Sequence, residues 1–93
     1  MGAVGDDAPV TLERMRNLGP VIAGRLRAVG IATPEELRRL GAIESYARLK
    51  RMFPSLTTHA QLYALHGAVN DVRWHVLPEE ARAALRDAAA RRL

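Results

Sequence analysis

Ninety-three residues at 10.2 kDa supply one modest core, which excludes multidomain and large-barrel architectures. The hydrophobic fraction of 48% rests on 16 Ala and 12 Leu, against 7 Val, 3 Ile and 4 aromatic residues, a composition that feeds helices and starves strands. With no cysteine, a disulfide framework, a zinc finger and a thiol nucleophile are excluded and packing alone must hold the domain, while the net charge of +4 and pI of 10.6 allow a phosphate-facing patch or reflect only an arginine- and alanine-rich coding bias.

The first nine residues have no periodicity and read as a disordered leader before a single domain over residues 10–93. They are acidic and contain no long apolar run, so no secretory signal is expected, and no stretch approaches the ~20 apolar residues of a membrane span. A cytoplasmic protein with no membrane partner is the expectation. Thr11 can cap a short helix with Leu12 and Met15 on one face, stopped near Asn17-Leu18-Gly19. Pro20 suits the first position of a second helix, with Ile22, Leu26 and Val29 as its stripe and Gly30 as its stop.

Thr33, Pro34 and Glu36 then form a capping box, the clearest helix start in the chain, because the threonine and glutamate side chains can each satisfy a backbone amide of the other. Leu40-Gly41 ends that helix, and another follows at once with Ile43, Tyr46, Ala47, Leu49 and Phe53 on one face until Pro54. Thr58 with Gln61 opens what should be the longest helix, striped by Leu62, Leu65, Val69 and Val72. Gly67 inside it costs about 1 kcal/mol relative to alanine, which suggests close approach of another helix. Trp74 is expected to join Leu62, Leu65 and Leu85 in the core. Pro78-Glu79-Glu80 start a final helix that turns Ala81, Ala84, Leu85 and Ala88 inward and frays beyond Ala88.

The expected fold is therefore all-α, a compact array of five or six short helices. Leu18-Gly19-Pro20 and Leu40-Gly41-Ala42 each place a Leu-Gly corner between short helices, as two tandem helical hairpins would. The stretch Asn17-Leu18-Gly19-Pro20-Val21-Ile22-Ala23-Gly24-Arg25-Leu26 resembles the helix-hairpin-helix motif, matching it at Leu18, Gly19, Pro20, Ala23 and Leu26. That resemblance implies a helix-hairpin-helix-like (SAM-like) topology in which the corner and the following helix start aim backbone N–H groups at a DNA phosphate. Asn17 replaces the first glycine of the motif, a mild change because asparagine tolerates left-handed backbone. Val21 and Ile22 stand where a basic and a hydroxyl residue are usual, and Arg16, Arg25 and Arg27 are the charges near enough to compensate.

A wider set of residues is more specific. Met15 to Pro20, Val29-Gly30-Ile31, Thr33 to Leu37, Leu40-Gly41-Ala42, Tyr46, Leu49-Lys50, Leu62 to Leu65, Gly67-Ala68, Trp74 and Leu77 to Glu80 follow one another in the order of the C-terminal domain of the TfoX/Sxy family, which the chain resembles over residues 12–88. The resemblance implies a bacterial protein associated with regulation of natural competence and of transcription. The separate N-terminal domain that often precedes this one in the family is not in the sequence, so a stand-alone domain is expected.

No catalytic constellation is expected. His59 and His66 lie near one helical face without a glutamate at zincin spacing, no serine has a neighbouring base and acid, and no phosphate-binding or dinucleotide fingerprint occurs. No metal, cofactor or small-molecule substrate is assigned, and the chain is read as non-enzymatic. Two functions remain. One is a regulatory module that grips duplex DNA weakly and without sequence preference through Arg16, Asn17, Gly19, Val21, Arg25 and Arg27. The other is a module for interaction with another protein or with itself, in which Val21 and Ile22 exchange a phosphate grip for apolar contact.

Overall fold

The chain is described by a computed structural model over residues 11–93. The leader assigned to residues 1–9 lies outside the described residues. Among those described, four α-helices and two single turns of 3-10 helix are joined by short connections, with no strand. The helices are α1 (Pro20–Ala28), α2 (Pro34–Met52), α3 (His59–Asn70) and α4 (Glu79–Arg92), and the 3-10 turns are Leu12–Arg14 and Trp74–Val76.

The all-α expectation holds, while the count of five or six helices is reduced to four for two physical reasons. Thr11 makes no side-chain cap bond and Asn17 turns left-handed at φ 74°, so the first expected helix is only one 3-10 turn, although Leu12 and Met15 do share a buried face. The break expected at Gly41 is present, but the two helices on either side of it abut without a connection and form one kinked element, because a single non-helical residue, Gly41 at φ 83° and ψ 167°, absorbs the change of direction. The buried Ser45 hydroxyl donates back to the Gly41 carbonyl one turn earlier, at 2.7 Å, and so finds its hydrogen-bond partner at the kink. Taken through the kink α2 is the longest element, and α3, expected to be the longest helix, is shorter than α4 as well.

The capping box forms as expected. Thr33 Oγ1 accepts from the Glu36 amide at 3.1 Å, and Glu36 Oε1 accepts from the amides of Thr33 at 3.2 Å and Ala32 at 2.7 Å. At the other end of α2 the ammonium of Lys50 donates to the carbonyls of Pro54 and Thr57, which closes the turn into α3. The core sits mainly between α2 and α3, where Leu37, Tyr46, Leu49, Leu62 and Leu65 are buried, and Leu12, Leu26 and Ile31 close it from the N-terminal side.

Several packing expectations change in the structure. Trp74 and Leu85 pack against the core but are only partly buried, because the tryptophan lies in a 3-10 turn at the rim between α3 and α4. Val72 falls beyond the end of α3 and is 37% exposed, so it leaves the stripe to Leu62, Leu65 and Val69. Ala84 faces solvent and Ala89 is the buried alanine of α4, which stays helical to Arg92. Gly67 is crowded by the Asn17 side chain and the Val72 carbonyl, and no other helix is the neighbour that excludes a Cβ there.

Candidate nucleic-acid interface at the Asn17 corner

The corner before α1 is built by Asn17. Its left-handed backbone reverses the chain, and its side-chain amide donates to the carbonyls of Val72 at 2.8 Å and Ala64 at 3.3 Å. Its Oδ1 accepts from the Trp74 amide at 3.3 Å. One short side chain thus joins the corner to the middle of α3 and to the turn beyond that helix, across 47 to 57 residues of sequence. Asparagine suits both tasks, since it tolerates positive φ and carries two donors beside an acceptor.

Gly19 is the N-cap of α1 in an extended conformation, and space around it is open enough that an added Cβ would meet nothing within 4 Å. Its glycine character is therefore not demanded by the backbone. Pro20 fills the first helical position, where its missing N–H removes no helical bond. Val21 follows at 63% exposure, so the helix start lies open to solvent.

The arginines expected at this surface differ in their engagement. Arg27 holds Glu13 in a two-pronged pair at 2.6 and 2.7 Å, and the guanidinium keeps the Glu13 carboxyl down to about 2. Arg16 pairs through Nε with Asp71 at 3.1 Å, with both side chains largely exposed. Arg25 is partly buried on α1 and has no carboxylate partner among the described residues. Arg16, Asn17 and Gly19 thus lie at the corner, Val21 at the start of α1, and Arg25 and Arg27 on its last turn, with Asn17 turned inward as a clamp.

Arg73 is the residue that sequence reading missed. It lies between Val72 and Trp74, both of which bond Asn17, so the clamp brings this exposed cation to the corner from the far end of the chain. No local signal marks it, because its placement depends on a side-chain to backbone contact between distant segments. Asp71, left-handed at φ 56°, enters by the same route as the counter-charge of Arg16.

The sequence model of the TfoX C-terminal domain matches residues 8–89. The chain belongs to this family. An uncharacterized protein from Listeria monocytogenes, in a triclinic crystal form, is 37% identical with a TM-score of 0.76, covering 82% of this chain and 85% of the other. A protein of unknown function from Listeria monocytogenes, in a tetragonal form, is 36% identical with a TM-score of 0.77, covering 83% of this chain and 94% of the other. Comparison with curated proteins gives no match. In this TfoX C-terminal domain no group of three or more His, Asp or Glu side chains is arranged to hold a metal among the described residues, and no described helix is long and apolar enough to cross a membrane.

Proposed function

We propose that this TfoX C-terminal domain is a non-enzymatic cytoplasmic regulatory module that grips the backbone phosphates of duplex DNA, weakly and without strong sequence preference. The observation that carries the reading is the open start of α1, with Arg25 on the last turn of that helix and Arg73 between the two residues that bond Asn17, two arginines without a carboxylate partner among the described residues. Free N–H groups and the positive end of a helix favour an anion there, and the two cations are further charges that a backbone phosphate can meet along the same duplex. Arg16 joins them because its exposed pair with Asp71 is cheaply exchanged for a phosphate, while Arg27 is held by Glu13. The corner is read as the hairpin of a helix-hairpin-helix-like array, and a role in competence or transcription regulation is the part of this reading that the family resemblance supports.

Binding to any duplex should fall steeply with salt from an affinity of ~10⁻⁴ to 10⁻⁶ M. The double variant Arg25→Ala with Arg73→Ala should flatten the salt slope by about two charges' worth, and Val21→Lys should tighten binding to all sequences alike. Absence of binding at low salt by both the parent and Val21→Lys overturns the reading.

One observation favours a second reading. Val21 is 63% exposed at the position where a phosphate-binding corner carries a basic residue. An apolar side chain at the open helix start suits contact with a protein surface or a second copy of the chain. Sedimentation that shows concentration-dependent association, abolished by Val21→Lys, supports that alternative.

A further inference from the structure

α4 is held by arginines more than by apolar burial. Ala89 is its only fully buried residue, with Leu85 partly buried. Arg86 donates to the Tyr63 hydroxyl of α3 at 2.6 Å while pairing with Glu79 within α4 itself, and Arg92 at the far end pairs with Glu44 of α2. Arg82 makes the most unusual contact. Its guanidinium lies over the rings of both Tyr63, at 5.4 Å, and Trp74, at 5.1 Å, and it donates to the backbone carbonyls of Trp74 and His75. Its Nε is enclosed without a hydrogen-bond partner, so the side chain accepts a desolvation cost in order to reach the two rings.

The Trp74 turn that Arg82 covers is the same turn whose amide donates to Asn17. A continuous chain of contacts therefore runs from α4 through Arg82, Trp74 and Asn17 to the start of α1. We propose that Arg82 is a positioning residue for the corner, and that α4 is a strap whose docking sets the corner's geometry. Undocking of α4 removes the cation from the Trp74 ring and frees the turn, and Asn17 then loses the partner that holds its Oδ1. The consequence for binding rests on the phosphate-gripping reading of the corner, whereas the coupling itself does not. By linkage, a ligand that requires the ordered corner also favours docked α4.

Native-state hydrogen exchange without DNA tests the coupling, with the Trp74 amide as reporter because its bond is to Asn17. In Arg82→Gln the amides of α4 and of Trp74 should exchange about tenfold faster or more, while those of Leu62 to Leu65 keep the parent rate. Arg92→Gln is the control: it should speed only the last turn of α4 and leave Trp74 unchanged. Faster exchange in α4 with Trp74 at the parent rate overturns the proposal. If Arg82→Gln does not fold, the parent decides. As denaturant is raised, α4 and Trp74 must open together before α2 and α3, and separate openings, or opening of α4 only with the whole domain, overturn it. A salt titration on a duplex adds the functional arm: if the parent binds, Arg82→Gln should weaken binding with Trp74 exchange raised in parallel, and weakened binding with unaltered Trp74 exchange would make Arg82 a direct contact. If the parent binds no DNA, the phosphate reading fails while the exchange result still decides the role of Arg82.

Discussion

The two Leu-Gly corners look alike as sequence and obey different physics as structure. At Leu18-Gly19 the glycine is extended and unconfined, and the reversal belongs to Asn17, whose backbone is left-handed and whose amide reaches Val72, Ala64 and Trp74. At Leu40-Gly41 the glycine itself carries the turn, at φ 83° and ψ 167°, a region that side chains with a Cβ essentially do not enter. The first corner is a clamp between distant segments, and the second is a local kink inside one helix. A glycine in a turn signature is therefore evidence of a turn, but not of which residue bears the strain.

Replacing the residue that bears each corner should separate the two cases most sharply. Asn17→Ala removes two donors to backbone carbonyls and one acceptor, and places alanine at positive φ, so a loss of about 3 kcal/mol is expected. Chemical denaturation reads this directly, and an Asn17→Gly variant, which relieves only the backbone, should recover less than half of the loss. Gly41→Ala should cost about 2 kcal/mol through the forced conformation alone. Its effect should stay local, leaving exchange at the Asn17 corner at parent rates. Equal and small losses at both sites would erase the distinction between the corners.

Much of the fold was legible because it is encoded by contacts close in sequence. Thr33 and Glu36 satisfy each other across one turn, Pro54 stops α2, and Leu62 and Leu65 lie on a stripe whose period alone marks the buried face. The candidate site was half legible. A helix-start motif identifies Gly19, Pro20 and Val21 locally, but Arg73 reaches the corner only through Asn17, and no periodicity reports a contact across that separation. Gly67 shows the same limit from the other side. Its missing side chain is explained by Asn17 and the Val72 carbonyl, groups that a helical pattern cannot place beside it.

Smaller effects test the local devices that flank the first corner. Thr33→Ala should lower stability by about 1 kcal/mol, because one N-cap acceptor is lost and Glu36 can still reach the backbone amides. Thermal unfolding checks it, and a variant as stable as the parent would remove the capping box from the account of α2. Acid should act next through Glu13, whose carboxyl Arg27 holds at about 2. A depressed native pKa means that this pair's contribution is present above the unfolded value near 4.5 and is lost as pH falls toward 2. The pair is exposed and salt-screened, so its contribution is small, and Glu13→Gln should flatten only slightly the decline of stability between those limits.

The smallest change is expected at the glycine that the corner motif makes most conspicuous. Gly19→Ala meets open space and an extended backbone, so the stiffer unfolded chain gained with alanine should offset its poorer fit at an N-cap, leaving stability within about 0.5 kcal/mol of the parent. Contrast with Gly41→Ala, measured under the same conditions, is the decisive readout for the difference between the two corners. Binding adds a separate dimension, because a methyl group at Gly19 stands beside the open start of α1. If a phosphate approaches the backbone N–H groups there, Gly19→Ala should weaken duplex affinity severalfold at unchanged stability. Affinity and stability both unchanged would leave the arginines as the whole of the grip, and a large loss of stability would mean that Gly19, like Gly41, bears a constraint that its extended backbone does not show.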